Sequence, residues 1–402
     1  MTRTLRAAVV GCGVGGMGAA LALARRGARV TLFEAFAEPR PLGSGLLLQP
    51  TGLAALDRLG LGEAVRAVGA KVERLEGHDP QGRLILRTEY RHWRPGAYGV
   101  GIHRARLFEI LFGALAPAGV ELKAATTIET VQDLGRPALI DAAGTAHGPF
   151  DLAVIADGSG SRLRQQLRPR AKAALNAWGA MWGNLPDPDG RFDGVLAQVY
   201  QRAEVMIGVL PIGVGPRPDD ARHVSLFWSL RSKECPRFAD CDFEAWKARV
   251  AALWPAVGEL ASGFAHAGEL APAIYRDVGV GAWNAGAAVL IGDAAHATSP
   301  QLGQGANLAL VDAVELADRI AVGAPVAATL GAYQAARRRH TVVYQVASRL
   351  LTPMFQSSGP FWSAIRDWVF TPLSLLPGLR RLAAGVLTGT LRLGPWPKDL
   401  RP

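Results

Sequence analysis

Apolar and polar positions divide this 402-residue chain into short, regularly spaced elements. Residues 5–10 (Leu-Arg-Ala-Ala-Val-Val) are an apolar run that predicts a strand. Glycines follow at once, and an Ala/Leu-rich stretch from about Gly16 to Arg26 predicts a helix closed by Gly27. Val30 to Glu34 predicts the second strand of a βαβ opening. Residues 52–69 predict two short helices broken near Gly60. Val72–Gly77 and Arg83–Tyr90 predict a hairpin around the turn Asp79-Pro80-Gln81-Gly82. A helix follows near Arg106–Leu115, short alternating strands run to Phe150, and Asp151–Ala156 is a buried strand. From about 173 to 280 the pattern changes to strands (Val195–Tyr200, Glu204–Leu210, His223–Leu230), one helix (Phe243–Leu253) and many prolines and tryptophans. It predicts an inserted antiparallel sheet. Residues 287–292 predict another buried strand. A helix beginning near Gly305 and a second over about Ala328 to Leu351 follow.

Composition narrows the class. With 49% hydrophobic residues the chain can bury a full core, and its length fits two intimately packed domains. The net charge of +10 favours anionic ligands such as NADPH. The arginines are scattered apart from Arg337–Arg339, so a solvated basic surface is expected and no nucleic-acid partner. Cys12, Cys235 and Cys241 form no CxxC pair, which predicts neither a disulfide framework nor a metal site and fits a reducing cytoplasm. The first apolar run ends in a glycine loop and is read as structure, not as a signal peptide. No stretch of about 20 uncharged apolar residues exists, so no stable membrane insertion is expected.

The glycines carry the first chemistry. Gly11-Cys12-Gly13-Val14-Gly15-Gly16 matches G-x-G-x-x-G, follows a strand, opens a helix, and precedes Glu34 at the end of the next strand. Gly11 permits a tight turn, Gly13 lets backbone approach a pyrophosphate, and Gly16 allows close helix–strand packing. The helix N-terminus offers unpaired N–H groups to phosphates. Glu34, with Ala35 beside it, would meet the adenosine ribose, and its charge disfavours a 2′-phosphate. The site is therefore read as one for FAD or NAD(H). No second such motif in strand–helix context exists.

Three further segments, in order, resemble a known family. They are Ile291-Gly292-Asp293-Ala294-Ala295-His296 with Pro300, Gly303-Gln304-Gly305-Ala306-Asn307 and Asp312; Asp151 to Arg164 with Asp157-Gly158; and His103-Arg104-Ala105-Arg106-Leu107. Gly45 to Pro50 adds a fourth. Over about residues 5–350 the chain resembles the para-hydroxybenzoate hydroxylase-like, or class A, flavoprotein monooxygenases. The resemblance implies an α/β fold: a Rossmann-like FAD-binding domain, an interleaved antiparallel-sheet substrate domain and a helical C-terminal region. The boundaries expected are 1–172 (with a substrate-domain hairpin around 72–100), 173–282, 283–350 and 351–402. It implies Asp293 on the ribityl chain, Arg104 near the ribityl or phosphate region, and Asp157 near FAD and the nicotinamide donor. Gly292, Ala306 and Asn307 complete the cofactor set. Pro300, Gly303, Gln304 and Gly305 would be catalytic, because a helix N-terminus there stabilises negative charge on the flavin N1–C2=O region. His296 is read as supporting its loop.

The reaction so implied uses NADPH or NADH and O2 to hydroxylate an aromatic small molecule through a flavin C4a-hydroperoxide. Tyr200, Met206, Phe227, Trp228 and Pro300 are candidate substrate residues; strand alternation puts Phe227 and Trp228 on opposite faces, one of them toward the flavin. No clustered Arg/Tyr clamp for a small benzoate is evident, which favours a larger, more apolar substrate. A non-hydroxylating flavin oxidoreductase, geranylgeranyl-reductase-like, shares every FAD motif. A halogenase is disfavoured, since Trp178 and Trp182 do not form W-x-W-x-I-P. The C-terminal region is read as helices capping the FAD domain or forming a dimer face, ahead of a membrane-touching element; a monomer or homodimer is expected.

Overall fold

The computed structural model describes residues 4–40, 43–215, 221–320, 325–374, 376–394 and 396. The chain opens with β1 (Arg6–Val10), α1 (Val14–Arg25) and β2 (Arg29–Phe33). It continues through β3 (Gly45–Leu48), α2 (Pro50–Arg58), α3 (Gly62–Val68), β4 (Ala70–His78), β5 (Leu84–Glu89), β6 (Gly99–His103) and α4 (Arg104–Gly113). Next come β7 (Glu121–Lys123), β8 (Ile128–Gln132), β9 (Ala138–Asp141), β10 (Ala146–His147), β11 (Leu152–Ile155) and α5 (Leu163–Leu167). The middle part holds β12 (Lys172–Pro186), β13 (Gly194–Gln201), β14 (Val205–Val214), β15 (Arg222–Arg231), α6 (Phe243–Leu253), α7 (Pro255–Ala261) and β16 (Ala271–Gly279). The chain returns through β17 (Asn284–Ala285), β18 (Ala288–Leu290), α8 (Asp293–His296), α9 (Gly305–Arg319) and α10 (Val326–Phe355). It closes with α11 (Pro360–Ile365), a π-helical turn Arg366–Phe370, α12 (Thr371–Ser374) and α13 (Pro377–Thr388).

The first layer is a six-stranded sheet ordered β17-β18-β11-β1-β2-β7, parallel except at β17. Its central strands are apolar on both faces, as a sheet covered on both sides requires. The strands β1, β11 and β18 end at one edge, and α1 and α9 both begin there. Methyl groups at Gly15 and Gly18 of α1 would lie 3.2 Å and 3.3 Å from the Cβ atoms of Ala309 and Ala313 of α9. The two helices therefore run parallel in close contact, with their N-termini side by side.

The second layer is a nine-stranded sheet ordered β16-β12-β15-β14-β13-β4-β6-β3, with β5 paired to β4. It departs from the expected antiparallel insert in three ways. The N-terminal contribution is larger than the hairpin around 72–100, because β3 and β6 join it. The β13–β4 pair that fuses the two contributions is parallel. Two of its strands, β12 and β16, fall where no strand was expected. The hairpin turn itself forms as read: Asp79 Oδ1 accepts from the N–H groups of Gln81 and Arg83, and Gly82 takes φ +84°.

Helix limits also shift. Helix α1 starts two residues earlier than expected, and α4 starts at Arg104. Helix α10 runs unbroken through the boundary expected at 350/351. The C-terminal helices α12 and α13 pack against β5 and its following turn, so they cap the second sheet. Among the described residues no helix is long and apolar enough to cross a membrane.

Candidate active site

The phosphate loop folds as its glycines require. Gly11 has φ +101°, and a methyl group there would lie 2.6 Å from the Ala156 carbonyl oxygen. A methyl at Gly16 would lie 1.8 Å from the Gly11 oxygen. Gly13 differs: nothing in the protein lies within 4 Å of the position its Cβ would take. Protein packing does not demand glycine at 13, whereas a ligand seated on the helix N-terminus does. Glu34 braces the loop, with Oε2 accepting from Cys12 N (2.8 Å) and Oε1 from Phe36 N (3.0 Å). Each oxygen keeps a lone pair for ribose hydroxyls. Ala35 beside it is exposed. Burial pushes the Cys12 thiol up to about 12, with Glu34 adding to the rise, which makes it an inert packed group and not a redox thiol.

Asp293 stands at the end of β18, one residue after Gly292, whose φ of +55° turns the chain. Its carboxylate is enclosed by protein yet open to solvent along the cleft. Burial raises its pKa, while His296 and Arg104 oppose the rise. A methyl at Gly305 would lie 3.7 Å from Asp293 Oδ1, so the carboxylate and the α9 N-terminus share one cradle. Arg104 is the first residue of α4, where a cation is unfavourable unless an anion faces it. Its guanidinium feels both Asp293 and Tyr275 of β16. Asp157 follows β11; its Oδ1 is buried without a hydrogen-bond partner among the described residues, and burial raises its pKa against the Ser161 hydrogen bond.

The loop from Pro300 to Gly305 is tied from behind. Gly303 is left-handed (φ +60°), and the Asn307 amide donates to the carbonyls of Leu47 and Gly303. Asn307 Oδ1 accepts from Gln49 N at 2.8 Å, linking α9 to β3 and α2. The Gln304 side chain turns away from the cleft to the carbonyls of Val386 and Leu387 on α13. Only its backbone can serve the role expected of it.

His296 is buried and bonded through Nε2 to Asp312 (2.6 Å), as a loop support should be. Asp312 also accepts from Gly292 N (2.8 Å) and Arg337 Nε (2.6 Å). The hydrogen bond from His296 and the Arg337 guanidinium hold its carboxyl far below the ordinary value despite burial. Arg337 continues to His340 Nδ1 (2.6 Å), and His340 Nε2 donates to Gly389 O (2.7 Å). Burial and Arg337 hold His340 well below 6.5, so it is neutral in the folded state. Unfolded chain then binds the proton more readily, and stability should fall as pH drops below about 6.5. His340→Gln is expected to flatten the thermal midpoint between pH 7 and pH 5; an unaltered pH dependence would refute the assignment.

These features fit FAD: the open approach at Gly13, the unpartnered Asp157 oxygen and the solvent-reached Asp293 beside a helix N-terminus. The FAD-binding-domain family model matches residues 4–349. The chain belongs to the FAD-dependent class A monooxygenases. This monooxygenase is 30% identical over 83% of its length to a putative 2-heptyl-3-hydroxy-4(1H)-quinolone synthase of Rhodococcus erythropolis, covering 84% of that relative. It is 32% identical over 85% to the phenazine 1,6-dicarboxylic acid hydroxylase of Lysobacter antibioticus, covering 88%. In fold it matches the tetrameric 2-methyl-3-hydroxypyridine-5-carboxylic acid oxygenase at TM-score 0.79 and 23% identity, over 98% of this chain and 100% of that one.

The monooxygenase resolves the choice between Phe227 and Trp228. Phe227 lies over Gly208 and against Trp182 (centroids 4.9 Å), on the face shared with Tyr200 and Met206. Trp228 is corrected: it packs on the opposite face against Trp246 of α6 (5.9 Å) and lines no part of the cleft. Tyr200 and Met206 are buried, and Phe355 of α10 closes over Tyr200 (5.2 Å). Pro300 is exposed, in a loop held to β16 by Ser299 N bonding Asp277. Trp182 and Tyr275 were missed as site residues because their strands were missed; Trp182 Nε1 donates to Tyr275 Oη at 3.2 Å.

Asp293→Ala should weaken FAD binding at least about tenfold, the loss of one or two charge-assisted hydrogen bonds, while the thermal midpoint of the apoprotein stays unchanged. Titration of apoprotein by flavin fluorescence checks this; unchanged affinity would remove Asp293 from the cofactor site.

Proposed function

We propose that this enzyme couples NADPH or NADH and O2 to hydroxylation of an electron-rich, fused-ring aromatic small molecule. The observation that carries it is the aromatic lining Trp182–Phe227–Tyr275 on the sheet face toward Arg104 and Asp293. Bound FAD would supply hydride acceptance and oxygen activation. The Gly11–Gly16 loop and the α1 N-terminus would hold its pyrophosphate, Glu34 its ribose, and Asp293 its ribityl chain. The N–H groups of Gly305, Ala306 and Asn307 have no partner inside α9 and would stabilise negative charge at the pyrimidine edge. Pro300, Gly303 and the Gln304 backbone shape that edge.

The lining excludes water and offers flat surfaces for stacking. Burial pushes the Tyr275 phenol up to about 12, so it stays protonated at neutral pH. Its oxygen already accepts from Trp182, leaving its O–H to orient a polar ring substituent. One relative is named as a putative synthase of a quinolone and another as a hydroxylase of a phenazine, which supports a fused-ring substrate.

The test measures NADPH and NADH oxidation, O2 uptake and product mass over a panel of phenols, hydroxyquinolines and phenazines. One compound should stimulate both fluxes and gain one oxygen atom. Stimulated NAD(P)H oxidation with a reduced, unoxygenated product would favour a flavin reductase instead. Phe227→Ala should raise H2O2 release per NAD(P)H severalfold with the fold intact. Trp228→Ala should instead cost about 3–5 kcal/mol of stability, read as a fall in thermal midpoint.

A further inference from the structure

The C-terminal helices carry an apolar surface that the cofactor and substrate sites leave unused. Phe361 and Trp368 are 65% and 77% exposed, and Trp362, Val369, Leu376 and Leu382 are also exposed. They lie on α11, the π-helical turn and the α13 region; α11 packs on that turn, α12 joins the turn to α13, and α12 and α13 pack on β5. Leu376, Leu379 and Leu382 recur every third residue and form one stripe beginning at the α13 N-cap. Arg380 flanks that stripe, Arg381 follows it in sequence on the next face of α13, and neither makes an ion pair among the described residues. Between residues 352 and 394 the sequence has a single acidic residue, Asp367, and both Arg83 and Arg366 already hold it.

We propose that this face docks on an anionic lipid membrane. Exposed tryptophan and leucine side chains enter the headgroup–acyl boundary, and Arg380 and Arg381 meet lipid phosphates. Charge selects this occupant over a second copy of the chain. A two-fold interface would bring Arg380 and Arg381 of both copies together with no unpaired carboxylate among the described residues of the C-terminal helices to receive them. Docking there would present the enzyme to apolar substrates dissolved in the bilayer, without any spanning segment.

The test is cosedimentation of the full-length FAD-loaded protein with vesicles of phosphatidylcholine alone or mixed equally with phosphatidylglycerol, at low and high salt. Binding is expected to the anionic vesicles only, and to weaken in salt. Arg380→Glu/Arg381→Glu and Trp368→Glu should each lower the partition coefficient at least about tenfold, with flavin content and circular dichroism unchanged. Arg136→Glu/Arg237→Glu, an equal charge change at exposed positions elsewhere, should leave most binding intact. The proposal fails if anionic vesicles do not bind, or if the control pair abolishes binding as fully as the docking pair. It fails equally if Trp368→Glu converts a dimer to monomer in analytical ultracentrifugation while vesicle binding is absent, which would assign the face to a second copy.

Discussion

Gly13→Val is expected to purify folded and colourless. The position its Cβ would occupy has no protein atom within 4 Å, so the substitution meets no clash in the apoprotein. Gly13 is the N-cap of α1 in an extended conformation (φ −83°) that valine adopts freely. The branched side chain would stand where the pyrophosphate must approach the helix N–H groups. Loss of FAD affinity of at least about 1,000-fold is expected, equivalent to roughly 4 kcal/mol. Gly16→Ala supplies the contrast, because its methyl would lie 1.8 Å from the Gly11 oxygen and should destabilise the apoprotein itself. Flavin absorbance and apoprotein thermal midpoints measured on both variants separate the two effects. A yellow, flavin-saturated Gly13→Val protein would overturn the phosphate-loop assignment.

Asp312→Ala should be the most destabilising single polar change. The carboxylate is fully buried, and it is the common acceptor for Gly292 N, His296 and Arg337. Its removal strands the Arg337 guanidinium, itself 2% exposed, without a counter-charge. Breaking one side of such a buried pair costs about 3–5 kcal/mol, or about 5 °C of thermal midpoint for a chain of this length. Replacing Arg337 by Met in the same background should recover part of the loss. If Asp312→Ala alone melts within about 1 °C of the parent, the hub contributes little. FAD affinity should fall as well, since Asp312 holds the turn at Gly292 that aims Asp293 into the cleft.

The βαβ unit and its glycine loop were legible because most of their determinants are local. Apolar runs, glycine spacing and Glu34 lie within one βαβ unit, although the contacts that exclude side chains at Gly11 and Gly15 come from distant segments, at Ala156 and Ala309. The start of α1 was misjudged because glycines disfavour helix in isolation. Here Gly15 and Gly18 are helical because only bare backbone lets α1 and α9 touch. The strands β12 and β16 escaped notice because exposed and buried positions do not alternate cleanly along them, and a bulge interrupts their pairing between Leu175 and Gly179. With them Trp182 and Tyr275 were lost from the expected site.

Strand parity placed Phe227 and Trp228 on opposite faces from sequence alone, yet it could not say which face met the flavin side. Parity is a property of one strand, whereas facing depends on which layer packs on each side. Helix α6 covers the Trp228 face, and α10 and Leu387 of α13 close part of the other. The sequence by itself therefore determined the family, the phosphate loop and the order of the cofactor motifs, all of them short-range patterns under strict steric demand. Tertiary structure alone decided the Asn307–Gln49 tie across 258 residues, the Asp312–Arg337–His340 chain and the aromatic lining. Those depend on packing between distant segments, and no local periodicity encodes which distant surfaces will meet.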